Sequence, residues 1–373
     1  MQNSALVTNK DYYQGLDGIR AFAVISVMLF HFYPQGILTI GWAGVDLFFV
    51  LSGFLITNIL IKNKDKENYF SSFYMRRVIR IFPIYYLVVI PMLLLNIVLI
   101  HIRDWGNIGS YIVYLQNFAA LRSEYLFGLA HTWSLAIEEQ FYLFFPLIIR
   151  VFSIKNSFRI TILLIILAIA IRFYSAIAFP GTPYLQSTLI FTRMDSLLLG
   201  GLLPLFIKLY NISFKRLNLV FNVLLLLSGL LIVLSIANYN ITTLKTDSVS
   251  EMFAAYGNPN LNTGYGHLKY TILAVFFMAL IGKIAYTTSP LATKFVKFLS
   301  NKPLAYIGKI SYGIYLYHWV IQEFFTLGLQ KVNLEIPAFL LVCIKITLSI
   351  VIAALSWNLI EKPILKLKDR YKY

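Results

Sequence analysis

Charge is scarce in this sequence, and negative charge is scarcest. Only 13% of the 373 residues are charged, 59% are hydrophobic, and 16 acids face 32 Lys and Arg. With a mean hydropathy of +0.73 the chain is too apolar for a soluble domain. Cysteine is nearly missing. The single residue, Cys343, lies inside an apolar run, which excludes an intrachain disulfide and a thiolate metal cluster, and no metal is expected. Tandem repeats, low-complexity tracts and a soluble domain are absent too. The longest polar connection, 238–267, is rich in Asn, Thr, Gly and Tyr. Its roughly thirty residues suffice for a lid or part of a groove but not for a separate enzyme domain. Residues 1–15 are polar and lack a small-residue cleavage pattern, so the first apolar run is expected to remain as an anchor.

What is present in abundance is long apolar runs, the signature of membrane-crossing helices. They predict an all-α polytopic bundle with ten spans, near 16–36, 41–61, 81–100, 131–149, 160–179, 188–207, 217–237, 268–281, 305–329 and 337–360. Alternate connections, at 62–80, 150–159, 208–216 and 282–304, together with both tails hold 22 of the 32 Lys and Arg. The intervening loops hold only Arg103, Arg122, Lys245 and Lys331. That asymmetry puts both termini in the cytoplasm. Segment 108–128 is apolar as well, but a crossing there would invert every later loop, so it is expected to be re-entrant or interfacial. The net charge of +16 therefore belongs to a membrane surface, and no nucleic-acid partner is expected.

Ionisable residues inside such spans are costly to bury and become functional candidates. Arg20 and His31, eleven residues apart, are almost three helical turns apart and project from nearly one face. Counting along each helix puts His31, Asp46, Glu138, Glu139, Arg172, Arg193, Asp195, His318, Glu323 and Lys345 in the outer half of the bilayer. Ser134 and Glu138 share a face at i, i+4. So many polar groups at one depth must pair with one another or line a wet, outward-opening chamber. On the cytoplasmic side, Arg76-Arg77-Val-Ile-Arg80-Ile-Phe-Pro83 presents two guanidinium forks at i, i+3, suited to a phosphate-bearing ligand. Pro83 falls near the start of the third span, where it is tolerated.

Blander readings stand beside these. Arg77 and Arg80 are also what ordinary cytoplasmic anchors look like, and His31 fits a core histidine bonded to a neighbouring helix. His101 and His131 sit near span ends and read as interfacial, and His267 carries no signal. Glu138 and Glu139 fit structural partners for Arg172 or Arg193. On the residues alone, an enzyme and a secondary transporter both remain open, although no internal symmetry of the transporter kind is visible.

The ordered motifs narrow this. Leu16-Asp-Gly-Ile-Arg20 with His31, then Gly44-Val-Asp46-Leu-Phe-Phe-Val-Leu-Ser52-Gly53, resembles the opening of the acyltransferase-3 family of bacterial membrane O-acyltransferases. The Arg76–Pro83 segment resembles that family's Arg-x-x-Arg motif, and His131-Thr-Trp133-Ser134-Leu-Ala-Ile-Glu138-Glu139 its Trp-Ser-Leu-Ser-x-Glu segment. Arg193-Met-Asp195, Ser311 through His318-Trp319, and Glu361-Lys-Pro363 follow in the family's order. The resemblance covers about 12–363 of what is expected to be one domain, 1–373. Ala136 departs from the pattern, standing where the family often has a second Ser. The end of the chain soon after its last span suggests the form without an appended hydrolase-like domain.

The resemblance implies transfer of an acyl group, usually acetyl, from cytoplasmic acyl-CoA to a hydroxyl of an extracytoplasmic or lipid-linked saccharide, by a multi-pass protein of the bacterial plasma membrane. Its site residues carry over as follows. His31 acts as general base or as an acyl-carrying nucleophile, with Glu138 holding its tautomer and Arg20 guiding the donor or supporting the oxyanion. Arg76, Arg77 and Arg80 hold the CoA phosphates. Asp46, Ser52, Trp133, Ser134, Arg193, Asp195 and His318 line the acceptor's place. Expected partners are acyl-CoA, a glycan acceptor and membrane lipid, with a second copy of the chain or glycan-assembly proteins left open.

Overall fold

Runs of Leu, Ile, Val and Phe can satisfy their backbone groups in lipid only by coiling into helices, and helices account for the architecture. The computed structural model describes residue 13 and residues 15–122, 125–179, 182–210, 212–241, 246, 248, 251, 267–286, 289–332 and 336–373, with no strand among them. The 238–267 connection lies mostly outside the described residues. The helices are α1 (Leu16–Phe32), α2 (Ala43–Lys62), α3 (Tyr69–Val98), α4 (Trp105–Ile112), α5 (Trp133–Val151), α6 (Ile154–Ala178) and α7 (Pro183–Thr188). They continue with α8 (Ile190–Tyr210), α9 (Phe214–Tyr239), α10 (Lys269–Tyr286), α11 (Pro290–Leu299), α12 (Lys302–Lys309), α13 (Ser311–Val332) and α14 (Ala338–Ser356).

Each predicted span coincides with a long helix. Seven helical stretches, Gly36–Lys62, Tyr69–Val98, Ile154–Ala178, Tyr184–Tyr210, Phe214–Asn238, Lys269–Tyr286 and Ala338–Arg370, are long and apolar enough to cross a membrane. The three other predicted spans, α1, α5 and α13, are helical too, and they carry His31, Glu138 and His318. The chain is a polytopic helical membrane bundle.

Burial separates centre from periphery. In the apolar window of α7–α8, 72% of residues are buried, against 17% for α9, so α8 is a core helix and α9 a peripheral one. At the centre α8 crosses α2. A Cβ on Gly53 would collide with the Leu197 carbonyl, and one on Gly200 with the Val50 carbonyl, so the two backbones approach as only glycine permits. This crossing sets Asp46 of α2 against Arg193 and Ser196 of α8. Around the pair, α1 packs on α2, α12 and α13, while α10 packs on α8 and α9.

Two boundaries differ from expectation for one reason. Helix α3 begins at Tyr69, so Arg76, Arg77 and Arg80 lie on its first turns rather than in a loop, and Pro83 and Pro91 lie inside it. Its 30 residues span about 45 Å, longer than a hydrocarbon core of about 30 Å, so the basic end projects beyond the apolar part. Likewise, the stretch before α13 is helical, with Ser289 and Asn301 capping α11 and α12 through bonds to Ala292 N and Leu304 N. Polar first turns hide helices from a reading based on apolar runs.

Segment 108–128 does not cross. It breaks into α4 and a 3-10 turn at Gln116–Arg122. Buried Gln116 donates to Tyr85 Oη and to the Thr132 carbonyl, at 3.1 and 2.9 Å, so the polar groups face protein.

Candidate active site

Among the described residues, one cavity of the bundle lies around His31 and another around Arg77. The histidine chamber, about 210 Å³, is walled by His31 and Phe30 from α1, Trp42 and Val45, Trp133 from α5, Arg193 from α8, Tyr270 from α10, and Tyr315 and Trp319 from α13. Aromatic rings dominate this wall. The arginine cavity, about 90 Å³, is lined by Arg20, Ser52, Arg77, Arg80, Ser134, Glu138, Tyr142 and Tyr312. Val45 and Tyr315 line both, so a single layer of side chains separates them. Arg20 and His31 sit about 16 Å apart along α1, on one face but in different cavities.

The chamber contains a directed hydrogen-bond chain. His318 Nδ1 lies 2.6 Å from the Tyr315 carbonyl oxygen, which can only accept, so His318 carries its proton on Nδ1. Its Nε2 therefore accepts from His31 Nδ1, 2.8 Å away. By this chain His31 Nε2 is left with its lone pair, and it has no protein partner among the described residues. Trp319, edge-on at 4.6 Å between ring centroids, and Phe30 hold the imidazole in place. His318 is fully buried, and both its nitrogens are used.

The arginine cavity is organised differently. Glu138 Oε1 accepts from Ser52 Oγ at 2.8 Å. Arg77 lies over the Tyr142 and Phe73 rings, and Arg20 pairs with Asp17 at 3.1 Å. Arg80 reaches solvent. Ser134 Oγ lies 2.6 Å from Tyr315 Oη, which donates to the His131 carbonyl at 3.0 Å. Lys368, from the turn after α14, lies in the field of Arg76, Arg77 and Arg80.

Several expectations need correction. Glu138 does not hold the tautomer of His31: it sits deeper on α5, bonded to Ser52, and His318 takes that place. His318 bonds His31 and does not line the histidine chamber. Asp46 accepts from Arg193 and Ser196, at 2.9 and 2.8 Å, and is fully buried. Asp195 pairs with Arg172 at 2.5 Å and accepts from Thr271. These two aspartates, not Glu138 and Glu139, neutralise the buried arginines, and neither lines the histidine chamber or the arginine cavity. Arg76 turns away from the arginine cavity to bind the Lys368 and Tyr371 carbonyls, with Tyr373 beneath it. Ser52 and Ser134 fall in the arginine cavity, while Trp133 and Arg193 line the chamber.

The sequence reading also missed residues. His131, taken as interfacial, is 3% exposed and lines the chamber. Tyr315 and Trp319 complete the wall, and their only sequence signal is membership of the Ser311–Trp319 motif. Among the described residues no group of three or more His, Cys, Asp or Glu is arranged to hold a metal ion.

Comparison with known proteins adds a second line of evidence. Residues 13–357 match the family model described as an acyltransferase domain, of the acyltransferase-3 type. A protein of Staphylococcus aureus strain COL, provisionally named an O-acetyltransferase, is 32% identical over 383 residues, covering 95% of this chain and 58% of its own length. The O-acetyltransferase OatA of S. aureus strain NCTC 8325 is 30% identical over 391 residues, covering 95% of this chain and 57% of its own. The chain thus spans somewhat over half the length of these relatives. No solved structure matches it.

Proposed function

The chain belongs to the acyltransferase-3 family, and on that premise we propose that it transfers an acyl group, acetyl in the usual case, from acyl-CoA to a saccharide hydroxyl. The carrying observation is the Tyr315–His318–His31 chain, which leaves one imidazole nitrogen free in an aromatic chamber beside a cationic cavity. His31 Nε2 removes the proton of the acceptor hydroxyl, and the oxygen attacks the thioester carbonyl. The C–S bond breaks as the tetrahedral intermediate collapses, and the imidazolium returns its proton to the departing thiolate. His318 supports the positive charge on His31 while it lasts. In the alternative order, Nε2 attacks the thioester itself and CoA leaves as thiolate; the hydroxyl oxygen then attacks the acyl carbon, the C–N bond to Nε2 breaks, and the hydroxyl proton goes to the thiolate or to water.

Donor binding belongs to Arg20, Arg77 and Arg80 in this reading. The thioester passes the Val45–Tyr315 wall to reach His31. The aromatic chamber suits a sugar, whose C–H faces stack on rings while its hydroxyls seek hydrogen bonds. The names of the relatives favour acetyl as the group transferred. The basic loops and tails are read as cytoplasmic, which puts the donor inside and the acceptor outside a bacterial plasma membrane.

Purified protein in detergent tests this directly. With acetyl-CoA and a panel of glycan acceptors, the parent chain should transfer label and His31→Ala should not, while both melt alike. Arg77→Ala and Arg80→Ala should each raise the KM for acetyl-CoA about tenfold, the loss of one charge-assisted contact. Undiminished transfer by folded His31→Ala would end the proposal.

A further inference from the structure

We propose that His131 is a binding residue for the acceptor, one ring nitrogen donating to and the other accepting from neighbouring hydroxyls of a saccharide in the histidine chamber. The inference rests on the reading that the chamber takes a sugar. His131 lines the chamber and is 3% exposed. Its ring is fixed between Tyr315, His318 and Trp319, at centroid distances of 5.4, 5.3 and 6.2 Å. The Tyr315 and Leu316 carbonyls lie beside its ring as weak acceptors, but among the described residues neither ring nitrogen has a partner in good hydrogen-bond geometry.

Such a group is costly to bury, because water is lost at both nitrogens and no well-formed bond replaces it; carbonyls can only accept, so the ring's lone pair in particular is left unmet. The contrast with His318 is direct, since both nitrogens of that neighbouring ring are bonded. Nor is His131 alone. Arg193, 1% exposed, bonds Asp46 through Nη2 and lies over Tyr270, but its Nε and Nη1 have no hydrogen-bond partner among the described residues. Two buried polar side chains from different helices therefore bring unmet hydrogen-bonding capacity to one chamber.

The chemistry of the pair selects the ligand class. A neutral imidazole offers one donor and one acceptor, and a hydroxyl is both. A pyranose with adjacent hydroxyls satisfies both nitrogens of His131 and supplies oxygen to Arg193. A carboxylate or phosphate only accepts, and would leave the imidazole lone pair unmet. His131 holds the sugar and His31 performs the chemistry, so the two histidines have separable roles.

The test uses full-length protein in detergent with acetyl-CoA and a panel of p-nitrophenyl hexosides and 2-acetamido-hexosides. His131→Phe should raise the acceptor KM at least tenfold, with the acetyl-CoA KM within twofold of the parent's. His131→Gln, which restores a donor and an acceptor, should recover much of the loss. His131→Phe should also melt no lower than the parent, since it removes a buried group without partners. An acceptor KM unchanged within twofold in both variants overturns the inference, as does a rise in acetyl-CoA KM of equal size. If His131→Phe fails to fold, His131→Gln and His131→Asn carry the comparison, with the acceptor KM expected to rise more for whichever recovers fewer bonds. Failure of the parent chain to acylate any pyranoside would instead overturn the sugar reading itself.

Discussion

His318 turns His31 into an imidazole with one occupied and one available nitrogen. The backbone carbonyl of Tyr315 fixes the first ring, and the first ring fixes the second. Replacing His318 by Phe removes the acceptor for His31 Nδ1–H and frees the ring to take the other tautomer. The kcat should fall on the order of 10²- to 10⁴-fold, the scale of lost general-base catalysis, with the acetyl-CoA KM unchanged. His318→Gln, whose amide oxygen can accept, should recover part of that loss, and steady-state kinetics on the three proteins checks both statements. His31 was legible in the sequence as a candidate because a histidine in an apolar helix is conspicuous. Its partner was not, because 287 residues separate His31 from His318. Helical periodicity tells which face a residue occupies but not which helix it meets. Glu138 lay at a suitable depth by counting, yet α5 aims it at Ser52.

At the scale of elements, the α2–α8 crossing brings Asp46 to Arg193 and so sets one wall of the chamber. Gly200→Leu would drive a side chain into the Val50 carbonyl. It should destabilise the protein by about 1–3 kcal/mol, the ordinary cost of overpacking, and lower activity with it. Gly229→Leu on α9 is the control: its nearest neighbour lies at 4.0 Å, and thermal melting should be nearly unchanged. The ten long apolar runs were readable as helices, in order, because such runs need helices in lipid; the short helices between them were not. The starts of α3 and α12 were not, because amphipathic first turns rich in Arg, Lys and Tyr read as loop. The same turns carry Arg77 and Arg80, the residues proposed to bind the donor.

At the scale of the whole molecule, the basic end of α3 and the histidine end of α1 put two chemistries on opposite sides of one thin wall, Val45 and Tyr315. The order of motifs along the chain made the family legible. The wall itself was not, since its two residues belong to helices far apart in sequence. The architecture fits transfer through the bundle, with donor and acceptor never sharing a compartment. Sealed inside-out vesicles test that claim most directly, with labelled acetyl-CoA added outside and a cell-surface glycan trapped within. The account predicts that label reaches the trapped glycan with the parent protein and not with His31→Ala, and that acetyl-CoA itself stays outside. Label reaching the glycan only when both substrates share one side, or equally with His31→Ala, would contradict it.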